Sequence, residues 1–194
     1  MVRTRTFDPA TALSTAVELF SSKGYSDTSM DDIVRATGVS RYGLYGTFGN
    51  KRELFEQALD RYAEGMGKQS FLRLLEPDAS LAHIRTIFDE RVADMCCTEE
   101  SKGCLFIHTA MQLAPDDAEL KGVLQKFMQR MSRVFAVGLE SAQENGEVRA
   151  DLDVRAAGEL LTSTMFGLAV LGRTGFSREV LAGIVDSTMA SLVD

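Results

Sequence analysis

The sequence predicts an all-α protein, and three observations support this class. Apolar residues recur at three- and four-residue steps along nearly the whole chain, as on one face of a helix. No stretch shows sustained strict alternation of apolar and polar residues, which is the pattern of a half-buried strand. Glycine, proline and small polar residues separate the periodic segments, where helices begin and end. We therefore expect helices joined by short loops.

Short helices with clear start and stop signals are expected in the first 75 residues. Asp8 followed by Pro9 is a typical helix start, and Gly24 is a typical stop. Ser40 and Asn50 are suitable N-caps for the third and fourth helices. In order, the predicted segments are 8–24, 28–38, 40–48 and 50–75.

Longer helices are expected in the rest of the chain, after the Glu-Pro-Asp break at 76–78. Proline ends a helix there because it disfavours a helical residue before it. The dipeptide Asn145-Gly146 ends the longest apolar-periodic stretch in the same way. The predicted segments are 81–97, 103–114, 116–145, 153–173 and 177–193.

Composition and charge narrow the class of protein. The 194 residues are 45% hydrophobic and 25% charged, which fits a globular protein and excludes a disordered or collagen-like one. The net charge of −7 argues against a general nucleic-acid coat protein. That charge is unevenly distributed. Residues 1–52 carry seven Lys/Arg and five Asp/Glu, a net of +2, whereas residues 53–194 carry 14 and 23, a net of −9.

The compartment follows from cysteine usage and from the apolar segments. Three cysteines do not suggest a disulfide framework, so reduced thiols are expected. The first 25 residues lack the pattern of a signal peptide. The longest strongly apolar run, 160–171, is shorter than the roughly 20 residues that span a bilayer. We therefore expect a cytoplasmic protein without a membrane partner.

Residues 28–54 carry the most informative pattern. Two short predicted helices meet at Gly38, which adopts positive φ at little steric cost. The spacing of apolar residues predicts a small inner core that holds the second helix rigidly, with polar and aromatic side chains outside. This arrangement is typical of a helix-turn-helix, whose second helix enters the major groove of DNA. The inner core consists of Ile33, Val34, Val39 and Leu44, and the motif spans about 29–48.

These residues resemble the TetR-type transcriptional regulators over about the first 55 positions. The matching elements are Glu18-Leu19-Phe20, Lys23-Gly24-Tyr25, Thr28-Ser29, Ile33, Ala36-Thr37-Gly38-Val39-Ser40, Leu44-Tyr45, Phe48, Lys51 and Leu54. The resemblance implies an N-terminal three-helix DNA-binding domain, 1–52, and a C-terminal helical effector-binding and dimerisation domain, 53–194. An alternative for 28–54 is a helical hairpin in a protein that does not bind DNA.

The expected DNA-binding residues lie on and around the second helix of the motif. Arg41 and Tyr42 are expected to meet bases, whereas Tyr45 and Lys51 are expected to meet phosphate. The full set is Thr28, Ser29, Ser40, Arg41, Tyr42, Gly43, Tyr45, Thr47 and Lys51.

The resemblance also implies a cavity for a small effector beyond residue 55. Aromatic and thioether side chains there suit an apolar or aromatic ligand, although plain core is the alternative for each of them. The expected pocket residues are Phe88, Met95, Cys104, His108, Met111, Phe127, Met131, Met165 and Phe166.

The cysteines leave several roles open. Cys104 and His108 lie four residues apart on a predicted helix and so share a face. A thiol- or metal-responsive regulator would use this pair, and a small thiol enzyme would use it as nucleophile and base. Inert core is the other role for Cys96, Cys97 and Cys104. The spacing matches no strong metal site, and no motif calls for a cofactor, so neither is expected.

The last two predicted helices carry more apolar surface than one thin layer needs. Two such helices and their symmetry mates would form a four-helix dimer interface. The expected interface residues are Leu160, Leu161, Thr164, Leu168, Leu171, Leu181, Ile184 and Met189. Taken together, the sequence predicts a homodimeric repressor that binds a palindromic double-stranded operator and is released by a small effector.

Overall fold

The computed structural model of the chain describes residues 7–66, 69–96, 104–113 and 115–193. All regular secondary structure over these residues is helical, which confirms the all-α class. The helices are α1 Pro9–Lys23, α2 Met30–Thr37, α3 Arg41–Phe48, α4 Lys51–Met66, α5 Gln69–Arg73, α6 Leu81–Cys96, α7 Leu105–Gln112, α8 Ala118–Glu144, α9 Val154–Arg173 and α10 Arg178–Val193.

Local capping explains why most of the predicted bounds agree with the structure. The Asp8 carboxylate accepts hydrogen bonds from the amides of Ala10 and Thr11 at the start of α1. Gly24 ends α1 with a φ of 83°. Asp153 caps α9 in the same way as Asp8 caps α1. A side-chain acceptor satisfies amides that have no partner inside the helix, so each helix begins where its cap stands.

The predicted segment 50–75 is the main difference in helix bounds. The structure has α4 to Met66 and the short α5 over Gln69–Arg73, with residues 67–68 outside the described ranges. Within the described residues, the last helix of this segment ends at Arg73 instead of at residue 75.

The described residues form two compact units. The first contains α1–α4 as far as Gly65, together with α7 and the turn that follows it. Its core includes edge-to-face packing of Phe20 on Phe55, with ring centroids 5.0 Å apart. Tyr62 of α4 packs on Phe106 of α7 at 5.5 Å. The first packing unit thus continues beyond residue 52, while the division of function at 52/53 stays a prediction.

The second unit contains α5, α6, α8, α9 and α10. Its core is a cluster of buried aliphatic, aromatic and thioether side chains, with Phe88 and Phe135 stacked at 5.8 Å. Glycine allows α8 and α9 to approach closely: a Cβ built on Gly158 would lie 2.4 Å from the Ser132 carbonyl oxygen. Glu147 accepts a hydrogen bond from the Leu81 amide at 2.7 Å and so caps α6.

Four of the eight expected dimer-interface residues are buried in the core, which contradicts their assignment to an outer surface. Leu161, Leu168, Leu181 and Met189 are buried in the core of the second unit and do not face outwards. Leu160 is 48% exposed. The residues that line an open groove of about 470 Å³ on α9 and α10 are Leu160, Val180, Gly183, Ile184, Ser187, Thr188 and Ser191. Thr164 and Leu171 are half-buried.

Helix α9 has the length and apolar composition of a membrane span, alone among the described helices. This differs from the expectation drawn from the run 160–171, because the helix extends that run at both ends. One face of α9, with Leu161, Met165 and Leu168, is buried in the core of the second unit. A core helix of a protein without membrane spans passes the same test of length and composition.

The expected effector residues fall into both units. Phe88, Met131 and Met165 are buried in the second unit, and Met95, Phe127 and Phe166 are partly buried against that core. Cys104, His108 and Met111 belong to the first unit. Met111 is 77% exposed on the outside of α7, so its assignment to an interior was wrong.

The cysteines differ in exposure. Cys104 is buried, with 5% of its surface exposed, directly before α7, whereas Cys96 at the end of α6 is exposed. Cys97 lies outside the described residues. The His108 amide donates to the Cys104 carbonyl at 3.1 Å, which places both residues on one turn of α7. Within the described ranges, no group of three or more His, Cys, Asp or Glu is placed to hold a metal ion.

Candidate nucleic-acid interface

Helices α2 and α3 are fixed at their starts by side-chain caps. The Ser29 hydroxyl accepts from the Asp32 amide at 3.1 Å, and the Asp32 carboxylate accepts from the Ser29 amide at 3.0 Å. This reciprocal capping box satisfies two amides at once. Its hydrogen bonds to Ser29 lower the pKa of Asp32 to about 2. The Ser40 hydroxyl accepts from the Gly43 amide at 3.1 Å and starts α3.

A tight turn at Gly38 joins the two helices. Gly38 has a φ of 68° in the left-handed region, and its amide donates to the Val34 carbonyl at 2.9 Å. The Thr37 hydroxyl then donates to the Ile33 carbonyl and accepts from the Val39 amide. One backbone hydrogen bond and two hydrogen bonds of the Thr37 hydroxyl thus hold the turn between α2 and α3.

The inner side of the motif is packed as the sequence predicts. Ile33, Val39, Leu44 and Phe48 are buried, and Val34 is half-buried. At the other end of α3, the Gln57 side-chain amide donates to the Phe48 carbonyl at 3.0 Å. Helix α3 is therefore held at both ends and along its inner face.

The outer face of α3 is exposed. Tyr42 is 78% exposed and Tyr45 is 42% exposed, although aromatic side chains are usually buried. A Cβ on Gly46 would have no described atom within 4 Å, so this glycine also lies on open surface. The outer face of α3 thus combines aromatic side chains, a cationic side chain and a glycine, a combination suited to the major groove of DNA.

The remaining expected residues differ in their surroundings. Arg41 is exposed, and Thr47 and Gly43 are half-buried, with a Cβ on Gly43 meeting Val39 Cγ1 at 3.1 Å. Ser29 and Ser40 are exposed, but their hydroxyls serve as helix caps. Both residues therefore lie at the surface at the starts of α2 and α3.

The structure contradicts the prediction that Thr28 binds DNA. Its side chain is fully buried, and its hydroxyl donates to the Gly24 carbonyl at 2.7 Å. Its amide donates to Tyr25. Thr28 therefore ties α1 to α2 and has no group left for DNA. The N-cap of α2 is the next residue, Ser29.

Lys51 begins α4 next to an aromatic ring. Its ammonium lies 4.2 Å from the ring centroid of Tyr25, a cation–π contact. Partial burial lowers the pKa of Lys51. The ring contacts the ammonium from one side, and an ammonium carries three N–H donors in all.

Two models of known protein families match the sequence of this chain. A model described as "Bacterial regulatory proteins, tetR family" matches residues 12–58. A second, described as "Tetracyclin repressor-like, C-terminal domain", matches residues 85–188. The chain belongs to the TetR family. Family membership confirms the helix-turn-helix assignment and makes the chain a transcriptional regulator, not an enzyme.

Relatives of this TetR-family chain match over nearly its whole length. The uncharacterized HTH-type transcriptional regulator YezE of Bacillus subtilis is 32% identical, over 99% of this chain and 100% of its own. The HTH-type transcriptional repressor ComR of Escherichia coli is 29% identical, over 96% and 90%. A cysteine mutant of CifR in complex with 26-bp double-strand operator DNA has a TM-score of 0.85 and 26% identity, over 98% and 99%.

Two residues at this surface were not among the expected DNA-binding residues. Gly46 shares the open face of α3 but was not among the expected DNA-binding residues. Asp31, in the first turn of α2, forms an ion pair with Arg41, the first residue of α3. The sequence carried no local signal for the role of Asp31, because its pairing with Arg41 depends on how the Gly38 turn orients the two helices.

Proposed function

We propose that this TetR-family regulator is a homodimeric repressor that binds a palindromic operator and is released by a small effector. The exposed outer face of the doubly capped helix α3 carries the proposal. In a helix-turn-helix, residues at the start of the second helix contact base edges, and the first helix crosses the backbone. Arg41 and Tyr42 occupy that start, and Tyr45 lies one turn further along.

Phosphate contacts would set the position of α3 in the groove. Lys51 at the start of α4 and the hydroxyl of Tyr45 are suited to such contacts, because phosphate oxygens accept from ammonium and phenol groups. Ser29 and Ser40 stand at the starts of α2 and α3, where free amides favour anions. These groups give affinity, whereas Arg41 and Tyr42 give sequence preference.

A two-fold dimer is supported by the outer surface of α9 and α10. The groove beside Leu160 is lined by apolar and small side chains, including Gly183, which allow a partner helix to approach closely. An isologous interface places the same patch of each copy against the other. Such a dimer presents two copies of α3 about 34–36 Å apart, one helical turn of DNA.

The effector would act by shifting the population between two conformers. A ligand that binds one conformer better than the other changes the affinity of the protein for DNA. DNA changes the affinity of the protein for that ligand by the same free energy. Phe88, Met131 and Met165 in the second unit supply apolar surface for such a ligand. A protein of this kind works in the cytoplasm, where its operator lies.

In vitro selection from random double-stranded DNA tests the DNA part of the proposal. The expected product is an inverted repeat with half-site centres about 10 bp apart. Tyr42→Ala should weaken binding to the selected site and relax its sequence. Selection of no common sequence would contradict the proposal.

Light scattering tests the dimer. The double variant Leu160→Glu with Ile184→Glu places two carboxylates in the groove, and we expect it to be a monomer. Val137→Glu is the matched control, because Val137 is also an exposed apolar residue but does not line the groove. A monomeric wild type, or a dimer that tolerates both glutamates, would contradict this interface.

A further inference from the structure

The first turns of α2 and α3 are joined by an ion pair that the capping network does not need. The Arg41 guanidinium Nη2 donates a hydrogen bond to Asp31 Oδ1. Both side chains are about half exposed or more, so the pair lies at the surface of the motif. We propose that Asp31 positions Arg41 and thereby sets the base preference of α3. This inference rests on the DNA-binding function proposed above.

The location of the pair favours a role in recognition. Arg41 is the first residue of α3, and Asp31 lies two residues after the Ser29 cap of α2. Residues at the start of a recognition helix are those that reach base edges. The guanidinium is a cation at any working pH, and the hydrogen bond to Asp31 raises the pKa of Arg41 further.

The guanidinium of Arg41 keeps further N–H donors for a DNA base when it is bonded to Asp31. Arginine carries five N–H donors in a planar fork, and the bond to Asp31 uses one Nη2 donor. The remaining donors include a pair that matches the two acceptors of guanine, O6 and N7, in the major groove. Holding the fork in one orientation before binding reduces the side-chain entropy that binding must remove.

Among the described residues, Asp31 has Arg41 as its side-chain partner, and it lies in the first turn of α2, where the helix dipole favours a carboxylate. The neighbouring carboxylate, Asp32, closes the capping box and lies within 3.6 Å of Lys23 and 3.5 Å of Arg35. Asp31 pairs with Arg41. An acidic group at a surface that meets phosphates weakens binding to all DNA, so the pairing with Arg41 is the contact through which Asp31 can favour one sequence over another.

A positioning role and a merely repulsive charge predict different results for Asp31→Asn. If Asp31 positions Arg41, the variant loses discrimination at one base pair in each half-site, while its affinity for random DNA rises because a negative charge is removed. If Asp31 only repels DNA, affinity rises equally for the selected site and for random DNA, and discrimination is unchanged.

The test uses the full-length chain and the operator obtained by selection from random double-stranded DNA. Binding to the operator and to all three single-base substitutions at each half-site position is measured by fluorescence anisotropy. A complete Arg–guanine contact is worth roughly 5- to 150-fold in discrimination, so we expect Asp31→Asn to lose about 3- to 10-fold at one position. Asp31→Glu restores the carboxylate and should restore most of that preference.

Two further variants make the outcome decisive. Asp27→Asn removes the same charge from the same unit without contact to Arg41, and should leave base preference unchanged. Asp31→Ser is a second neutral variant that keeps a polar first-turn residue, in case the asparagine variant does not fold. Unchanged discrimination in the folded neutral variant, or an equal change in Asp27→Asn, would overturn the role of Asp31. Failure of the wild type to select any site would instead overturn the DNA-binding proposal, and this inference with it.

Discussion

Replacing Gly158 by alanine is expected to destabilise the second unit, because α8 and α9 cross in contact at this glycine. A Cβ at this position would lie 2.4 Å from the Ser132 carbonyl oxygen and 3.1 Å from the Ala136 amide nitrogen. Both neighbours are backbone atoms of a long helix and cannot rotate away, so the two helices must separate. Normal contacts between heavy atoms lie at about 3.5–4.0 Å, which sets the separation at roughly 1 Å.

The size of the effect follows from two opposing contributions. Forcing an extra carbon into a packed interior costs about 1–3 kcal/mol. Alanine recovers up to about 1 kcal/mol of helix propensity relative to glycine. The expected net loss in the free energy of unfolding therefore lies between about 0 and 3 kcal/mol, with a centre near 1.5 kcal/mol, which corresponds to roughly 3–6 °C in Tm for a chain of this size.

Thermal unfolding followed by circular dichroism at 222 nm measures this loss. Gly122→Ala on α8 is the matched control, since a Cβ there meets no described atom within 4 Å. That variant should gain helix propensity and melt about 2–4 °C above the wild type. A Gly158→Ala protein that melts as high as Gly122→Ala would refute the close crossing of α8 and α9.

Three further predictions concern charged residues of the first unit. Lys51→Ala should reduce by about one the slope of the logarithm of DNA affinity against the logarithm of salt concentration, and an unchanged slope would exclude a phosphate contact there. Asp32 has a folded pKa of about 2 against an ordinary value of 3.8, so its contribution to stability is present above pH 4 and is lost towards pH 2. Wild type should therefore lose stability over that range more steeply than Asp32→Asn, as acid titration at fixed urea will show; parallel curves would contradict the capping box. Arg52 bridges Glu56 and Asp117, so Arg52→Met should lower the free energy of unfolding by about 0.5–1 kcal/mol in urea titration, and no change would mean that the bridge is not populated in solution.

Helix starts were predictable from the sequence because capping is local. Asp8, Ser29, Ser40 and Asp153 each accept hydrogen bonds from amides two or three residues ahead, so the signal lies within a few positions of the helix start. The helix-turn-helix was predictable for the same reason, since its caps, its Gly38 turn and its inner core all lie within one short stretch.

Other features depend on contacts between distant residues, and the sequence did not determine them. Leu160 and Leu161 are adjacent and equally apolar, yet Leu160 is exposed and Leu161 is buried. They lie on different sides of α9, and both sides of this helix are apolar. The period of apolar residues shows that a helix has an apolar face. It does not show which face packs against the core when two faces are apolar. The pairing of Asp31 with Arg41 likewise depends on how the Gly38 turn orients two helices, and no spacing rule gives that geometry.

Photo-crosslinking from α3 is the most direct test of the claim that this helix reads DNA. A benzophenone amino acid placed at Tyr42, the most exposed large side chain of α3, reports which part of the operator lies within reach. We predict crosslinks from this probe to bases in the major groove of each half-site. No crosslink from position 42 in a complex that still binds the operator would contradict the claim.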